Sequence, residues 1–200
     1  MLLVRIYNWL RTMRAKRNVR KNATMIGAGH VIGPKSKVVL LEGATKDQVV
    51  LEPGVWMEGC IVVMCGGMVV MKENSRLGST SKIMCVDRVD VGAYTTITDN
   101  ATVCDNNNHP ISPEFRKRMR TTPVGHDLRS WKYAAHAPIC IGENAWIGAN
   151  TRICKGVTIG DNSIVAACSV LTKNVPANCI VAGNPAKIVK MDIDKEPYLD

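Results

Sequence analysis

The chain has 200 residues, enough for one domain with a sizeable core, and a formal net charge of +9. Aromatic residues make up only 4% and include one Phe, so Ile, Val, Met, Ala and Cys must fill that core. No apolar run reaches the roughly 18–20 residues of a membrane span; the best candidate, "CIVVMCGGMVVM" at 60–71, is too short and holds Gly66-Gly67.

Residues 1–21 carry Arg5, Arg11, Arg14, Lys16, Arg17, Arg20 and Lys21 and no acid. That is +7, so the remainder carries only 9 − 7 = +2. Nucleic-acid binders show basic residues interleaved with aromatics across the fold, so no nucleic-acid partner is expected. Leu3, Ile6, Leu10 and Met13 fall at helical spacing with Trp9 beside them, which predicts a basic amphipathic helix over 1–21. The basic residues mostly occupy its other faces. Such a helix could lie on an anionic membrane surface, or cover the open strand edge of the domain that follows.

From residue 22 to about 190 the chain repeats. Ile26 and Ile32 open "IGAGHV" and "IGPKSK"; Leu51, Met57 and Val63 open three more hexads, with Gly54, Cys60 and Gly66 at the corners. Val91, Ile97 and Val103 open another set, with Asn100 and Asn106 at corners. The longest break, about 109–140, starts in "CDNNNHP", where Asn108-His109-Pro110 leaves the pattern. The excursion 111–138 is polar, basic and aperiodic, and long excursions from a regular scaffold are usually functional or disordered.

The clearest register begins at 141. First positions are Ile141, Ile147, Ile153, Ile159, Val165 and Leu171; fifth positions are Ala145, Thr151, Val157, Ser163, Ser169 and Val175. Fourth positions are Asn144, Asn150, Gly156, Asn162, Cys168 and Asn174, mostly residues that tolerate the left-handed backbone region. A period of six is neither helical nor simple alternation, and marks a parallel β-helix that turns a corner every six residues. Residues from Pro176 to the end are expected to cover the far end, with 191–200 as a tail. No two of the eight cysteines have CxxC spacing, and no secretory signal pattern is evident, so reduced thiols in a cytoplasmic protein are expected.

The stretch "IGENAWIGANTRICKGVTIGDNSIVAACSVLTKNVPANCIVAGNPAKIVK", with "NHP" upstream, resembles the hexapeptide-repeat acyltransferases, in the branch of maltose, galactoside and polysaccharide O-acetyltransferases. The resemblance implies an all-β fold: a left-handed parallel β-helix of three hexads per coil, with the N-terminal helix and the excursion loop added. It further implies a homotrimer with sites between subunits, and acetyl-CoA as donor with no metal. Carried over by position, His109 is the catalytic histidine. Trp146 lines the acceptor side; Asp87 and Asn108 are further acceptor-side candidates, and Ser79 and Thr80 lie in the same region as Asp87, without an aligned family position for any of them. Ala149, Ala167, Thr172, Lys173, Lys187 and Lys190 meet CoA. Two departures stand out. Ala166-Ala167-Cys168 replaces a frequent Gly-Ala-Gly, which predicts a reshaped coil there, and Lys187 replaces a frequent Arg.

The chemistry suits these residues. A thioester is already activated, so the demand falls on a hydroxyl that must lose its proton as it attacks, and His has the right pKa range. The oxyanion then needs a backbone N–H donor. The sequence thus predicts an acetyl-CoA-dependent O-acetyltransferase acting on a sugar or polysaccharide hydroxyl, cytoplasmic or peripheral to the inner membrane face. The alternative within enzymes is N-acylation of an amino sugar or antibiotic-like acceptor. A γ-carbonic-anhydrase-like zinc site would need a close histidine pair on one coil, whereas His109, His126 and His136 are scattered. A non-catalytic assembly module would need neither His109 nor Thr172-Lys173. His126 and His136 are acceptor-side candidates or exposed loop residues, His30 is structural, and Cys154 and Cys168 fill repeat slots.

Overall fold

In the computed structural model, which describes residues 2–197, short strands wind into three flat faces of a prism. The first face stacks Thr24–Met25, Val49–Leu51, Met68–Met71, Arg88–Val91, Ile139–Ile141 and Thr158–Ile159. The second stacks Val31–Ile32, Trp56–Met57, Arg76–Leu77, Thr96–Ile97, Trp146–Ile147, Ile164–Val165 and Ile180–Gly183. The third stacks Lys37–Leu40, Cys60–Val63, Lys82–Cys85, Thr102–Cys104, Arg152–Ile153 and Val170–Leu171. All neighbours pair in parallel until Ala186–Lys190 turns back antiparallel on Ile180–Gly183. This is the parallel β-helix expected from the repeat, and it is left-handed as the resemblance implies.

First-position residues stack into inward columns. On the second face, Ile32, Met57, Leu77, Ile97, Ile147, Val165 and Val181 sit in register and are buried. Such a column takes one aliphatic chain per coil, which explains a core nearly free of aromatics. Each fully buried Ile or Leu contributes about 1.5–3 kcal/mol. Fifth-position residues are small because they sit inside a corner, and their hydroxyls fasten coil to coil. Ser81 Oγ donates to Thr98 O at 2.5 Å, Thr95 Oγ1 to Gly142 O at 2.7 Å, and Ser163 Oγ to Pro176 O at 2.6 Å.

The corners hold left-handed residues at Asn144, Asn150, Gly156, Asn162 and Cys168, as expected. Cys168 has φ 62°, and the coil around it keeps its pairing, so the predicted reshaping is absent. Three other corner expectations fail: Asn174, Cys60 and Asn106 are not left-handed, whereas Asn178, Cys65 and Asn108 are. The cause is coil length. Thr158 pairs with Cys140, a step of 18 residues, but Val70 pairs with Val50, a step of 20, and Ile180 with Ile164, a step of 16. The surplus in the early coils goes into four-residue strands such as Cys60–Val63 and Met68–Met71, which shifts the phase of the six-residue pattern.

Helix α1 runs Leu2–Asn22. Its contact with the first coil is not the expected apolar row. Ala15 and Val19 are buried there, while Leu3, Ile6, Leu10 and Met13 are exposed. Asn18 Oδ1 accepts from Val38 N at 2.7 Å and Asn22 Nδ2 donates to Val38 O at 3.2 Å, so two amides one turn apart satisfy an otherwise open strand edge. At the far end the returning strand Ala186–Lys190 and the turn Ile193–Lys195 follow the last coil; residues 198–200 of the expected tail lie outside the described residues.

Candidate active site

The excursion departs from the edge between the third and first faces. It is ordered around helix α2, Pro113–Thr121, rather than being a plain loop. Ser112 Oγ caps α2 by accepting from Phe115 N at 3.3 Å. Arg129 donates to Thr122 O through Nε and Nη2, and Phe115 packs against Tyr133 with ring centroids 5.3 Å apart. Lys132 and Tyr133 both donate to Asp127, which holds its carboxyl below the usual range. Ser130 Oγ donates to Glu42 Oε2 at 2.5 Å, fastening the excursion to the first coil on the same edge.

The exit is built on Asp105, a fully buried carboxylate that was not among the residues singled out from the sequence. It accepts from Val86 N, Asp87 N and Asn106 Nδ2 at 2.8–3.0 Å. The three asparagines then divide the task of leaving the coil. Asn106 is buried and bridges to His136; Asn107 N donates to Ala135 O at 3.0 Å; Asn108 takes the left-handed conformation, φ 61°. His109 follows with its imidazole exposed, and no side chain among the described residues bonds it. Beside the exit, Asp87 Oδ2 lies 3.1 Å from His136 Nδ1, which brings two acceptor-side candidates together.

A second group lies on the second face. Trp146 is 57% exposed and shares a cavity of 290 Å³ with Ala149, Arg76, Thr96, Thr98 and Asp99. Arg76, not foreseen, stacks over Trp56 at 4.3 Å and pairs with Glu58 at 3.3 Å. The 20-residue step of Trp56, Arg76 and Thr96 was the available signal. Ala149 and Ala167 form one column on the edge between second and third faces, where Cys168 N donates to Ala149 O at 2.8 Å.

A third group closes the C-terminal end. Thr172, Lys173 and Lys187 line a cavity of 340 Å³ with Val181 and Ile188. Lys190 is not among them; its Nζ pairs with Glu196 Oε1 at 2.5 Å. Two ammonium groups and a hydroxyl are a donor set suited to the phosphates of a nucleotide-bearing thioester. The thiols of Cys60, Cys65, Cys85 and Cys104 are pushed up, chiefly by burial, so they remain protonated at neutral pH. Among the described residues no three His, Cys, Asp or Glu side chains gather as a metal-ligand set.

The family model "Bacterial transferase hexapeptide (six repeats)" matches residues 141–173. The galactoside O-acetyltransferase of Escherichia coli K12 is 39% identical over 103 residues, 52% of this chain and 51% of that one, so the match spans about half of that relative. YJL218W of Saccharomyces cerevisiae, a provisionally assigned acetyltransferase, is 30% identical over 167 residues, 81% of this chain and 73% of that one. The N-acyltransferase AntD of Bacillus cereus, solved with coenzyme A and dTDP-4-amino-4,6-dideoxyglucose, shares the fold with a TM-score of 0.66 at 14% identity, covering 88% of this chain and 87% of AntD. The chain belongs to the hexapeptide-repeat acyltransferase family.

Proposed function

We propose that this chain is an acetyl-CoA-dependent O-acetyltransferase acting on a sugar or polysaccharide hydroxyl, with His109 as general base. The observation that carries the reading is a cationic, hydroxyl-bearing cavity (Thr172, Lys173, Lys187) in the same chain as an exposed imidazole that forms no ion pair among the described residues. The galactoside O-acetyltransferase relative supports a sugar hydroxyl as acceptor.

In this reading Lys173 and Lys187 hold phosphates of CoA, and the thioester arm runs past Ala167 and Ala149 toward Trp146. The acceptor oxygen attacks the thioester carbon while His109 takes its proton. A backbone N–H of the coil corner receives the oxyanion. Collapse breaks the C–S bond, and the imidazolium returns the proton to the leaving thiolate. The products are an acetyl ester and free CoA, with no metal in the scheme. Asp87, Asn108 and Trp146 face the acceptor.

His109 lies on the third-to-first edge, whereas Trp146 and Ala149 lie on the second face and the edge beyond it. That separation supports a site completed by a second copy, and we propose three chains around three such sites. Eight unpaired cysteines support a reducing, cytoplasmic setting.

The test is thiol release from acetyl-CoA with a panel of galactosides, other neutral sugars, nucleotide sugars and amino sugars. Release with an acceptor bearing hydroxyls alone is the expected result. Release confined to amino sugars would replace this reading with N-acylation.

A further inference from the structure

We propose that the outward face of α1 seats the protein on an anionic lipid surface. The helix has two sides with different uses. Ala15 and Val19 pack on the first coil, with Asn18 and Asn22 bonded to Val38. Ile6 and Leu10 each precede one of those buried residues by nine positions, about two and a half turns, and so lie on the opposite side. There Leu3, Ile6, Leu10 and Met13 form a row with Trp9 beside it, each at least 43% exposed. Among the described residues this row has no partner.

The same row continues at the next helical positions as Arg17 and Arg20, flanked by Lys16 and Lys21. The outward face is therefore apolar in its first half and cationic in its second. No acid occurs between residues 1 and 21, and among the described residues none of the seven cations there is in an ion pair.

Charge decides between occupants. A second copy seated here would bring seven cations against seven more with no acid between them. The apolar row also covers only residues 3–13, well short of the three to four heptads of a stable coiled coil. An anionic bilayer supplies what the face lacks. Leu3, Ile6, Leu10 and Met13 enter the acyl boundary, Trp9 sits at the headgroup level, and the basic side chains reach the lipid phosphates. Each cation near such a surface adds a preference of about fivefold, sensitive to salt. The helix lies on the surface, since no helix of the described residues is long and apolar enough to cross a membrane.

The experiment is co-sedimentation of the full chain with vesicles of phosphatidylcholine alone and of phosphatidylcholine mixed equally with phosphatidylglycerol. Wild type should bind the mixed vesicles, bind phosphatidylcholine at least tenfold more weakly, and release with added salt. Ile6→Glu/Leu10→Glu and Arg17→Glu/Arg20→Glu should each lose binding at least tenfold, keep wild-type thermal melting and keep the wild-type mass by light scattering. These positions are exposed and leave the Asn18 and Asn22 contacts intact. Equal binding to both vesicle types, no binding by wild type, or unchanged binding by Ile6→Glu/Leu10→Glu would each overturn the proposal. A drop in mass for that variant would assign the face to a second copy instead.

Discussion

The second-to-third edge and the third-to-first edge of one prism are made from the same repeat and end up unlike. On the first of these, Asn100, Asn150 and Cys168 keep the left-handed corner coil after coil, and Ala149 and Ala167 stack as a smooth column. On the second, Asp105 anchors the coil below, three asparagines lead the chain out, and about thirty residues intervene before Ile139 resumes the pattern. Regularity supplies a rigid groove wall, and its interruption supplies side chains that no repeat can project. In the proposed reaction, donor contacts use the former and proton transfer the latter.

Several changes would break or sharpen that division. The largest effect is expected at the interrupted edge: His109→Ala should lower kcat by ~10²–10⁴-fold and leave acetyl-CoA binding by calorimetry near wild type. Loss of binding instead would move His109 to the donor site. In the regular scaffold, Ile147→Ala should cost about 2–5 kcal/mol, read from denaturant unfolding, because it opens a gap in a fully buried column. A cost under ~1 kcal/mol would mean the column repacks.

Smaller effects belong to the groove. Lys173→Ala and Lys187→Ala should each raise the KM for acetyl-CoA roughly tenfold or more, as loss of a charge-assisted contact would, with a lesser change in acceptor KM. If a donor lacking the 3′-phosphate suffers equally from both substitutions, neither lysine meets that phosphate. Most subtle is protection. Cys140 and Cys168 are the exposed thiols, and Cys168 adjoins Ala167. CoA should slow alkylation of Cys168 and not of Cys140, measured by peptide mass spectrometry. Equal slowing of both would point away from the Ala167 column.

What the sequence revealed follows the same division. The coils from 141 to 171 could be read because successive 18-residue steps there repeat one environment: Ile141 to Leu171 point inward, and Ala145 to Ser169 fill corners. Cys60, Asn106 and Asn174 were misplaced because adjoining coils use 22, 20 or 16 residues rather than 18. The face that α1 buries could not be read from hydrophobicity, since its anchors are one alanine, one valine and the amides of Asn18 and Asn22. Asp105 was missed because its partners, Val86 N and Asp87 N, are backbone donors one coil away. His109 and the donor residues were named by resemblance. Their placement on separate edges is a property of the coil that no single motif carries.

That separation makes subunit mixing the most direct test of a site shared between copies. His109→Ala chains, intact for the donor groove, are mixed with Lys173→Ala/Lys187→Ala chains, intact at His109, after subunit exchange has been verified by mass. A shared site predicts that hybrids regain a clear part of wild-type turnover at low acetyl-CoA, because some interfaces then pair an intact His109 with an intact groove. Hybrids no more active than the sum of the two parents would contradict the shared site and place both halves within one chain.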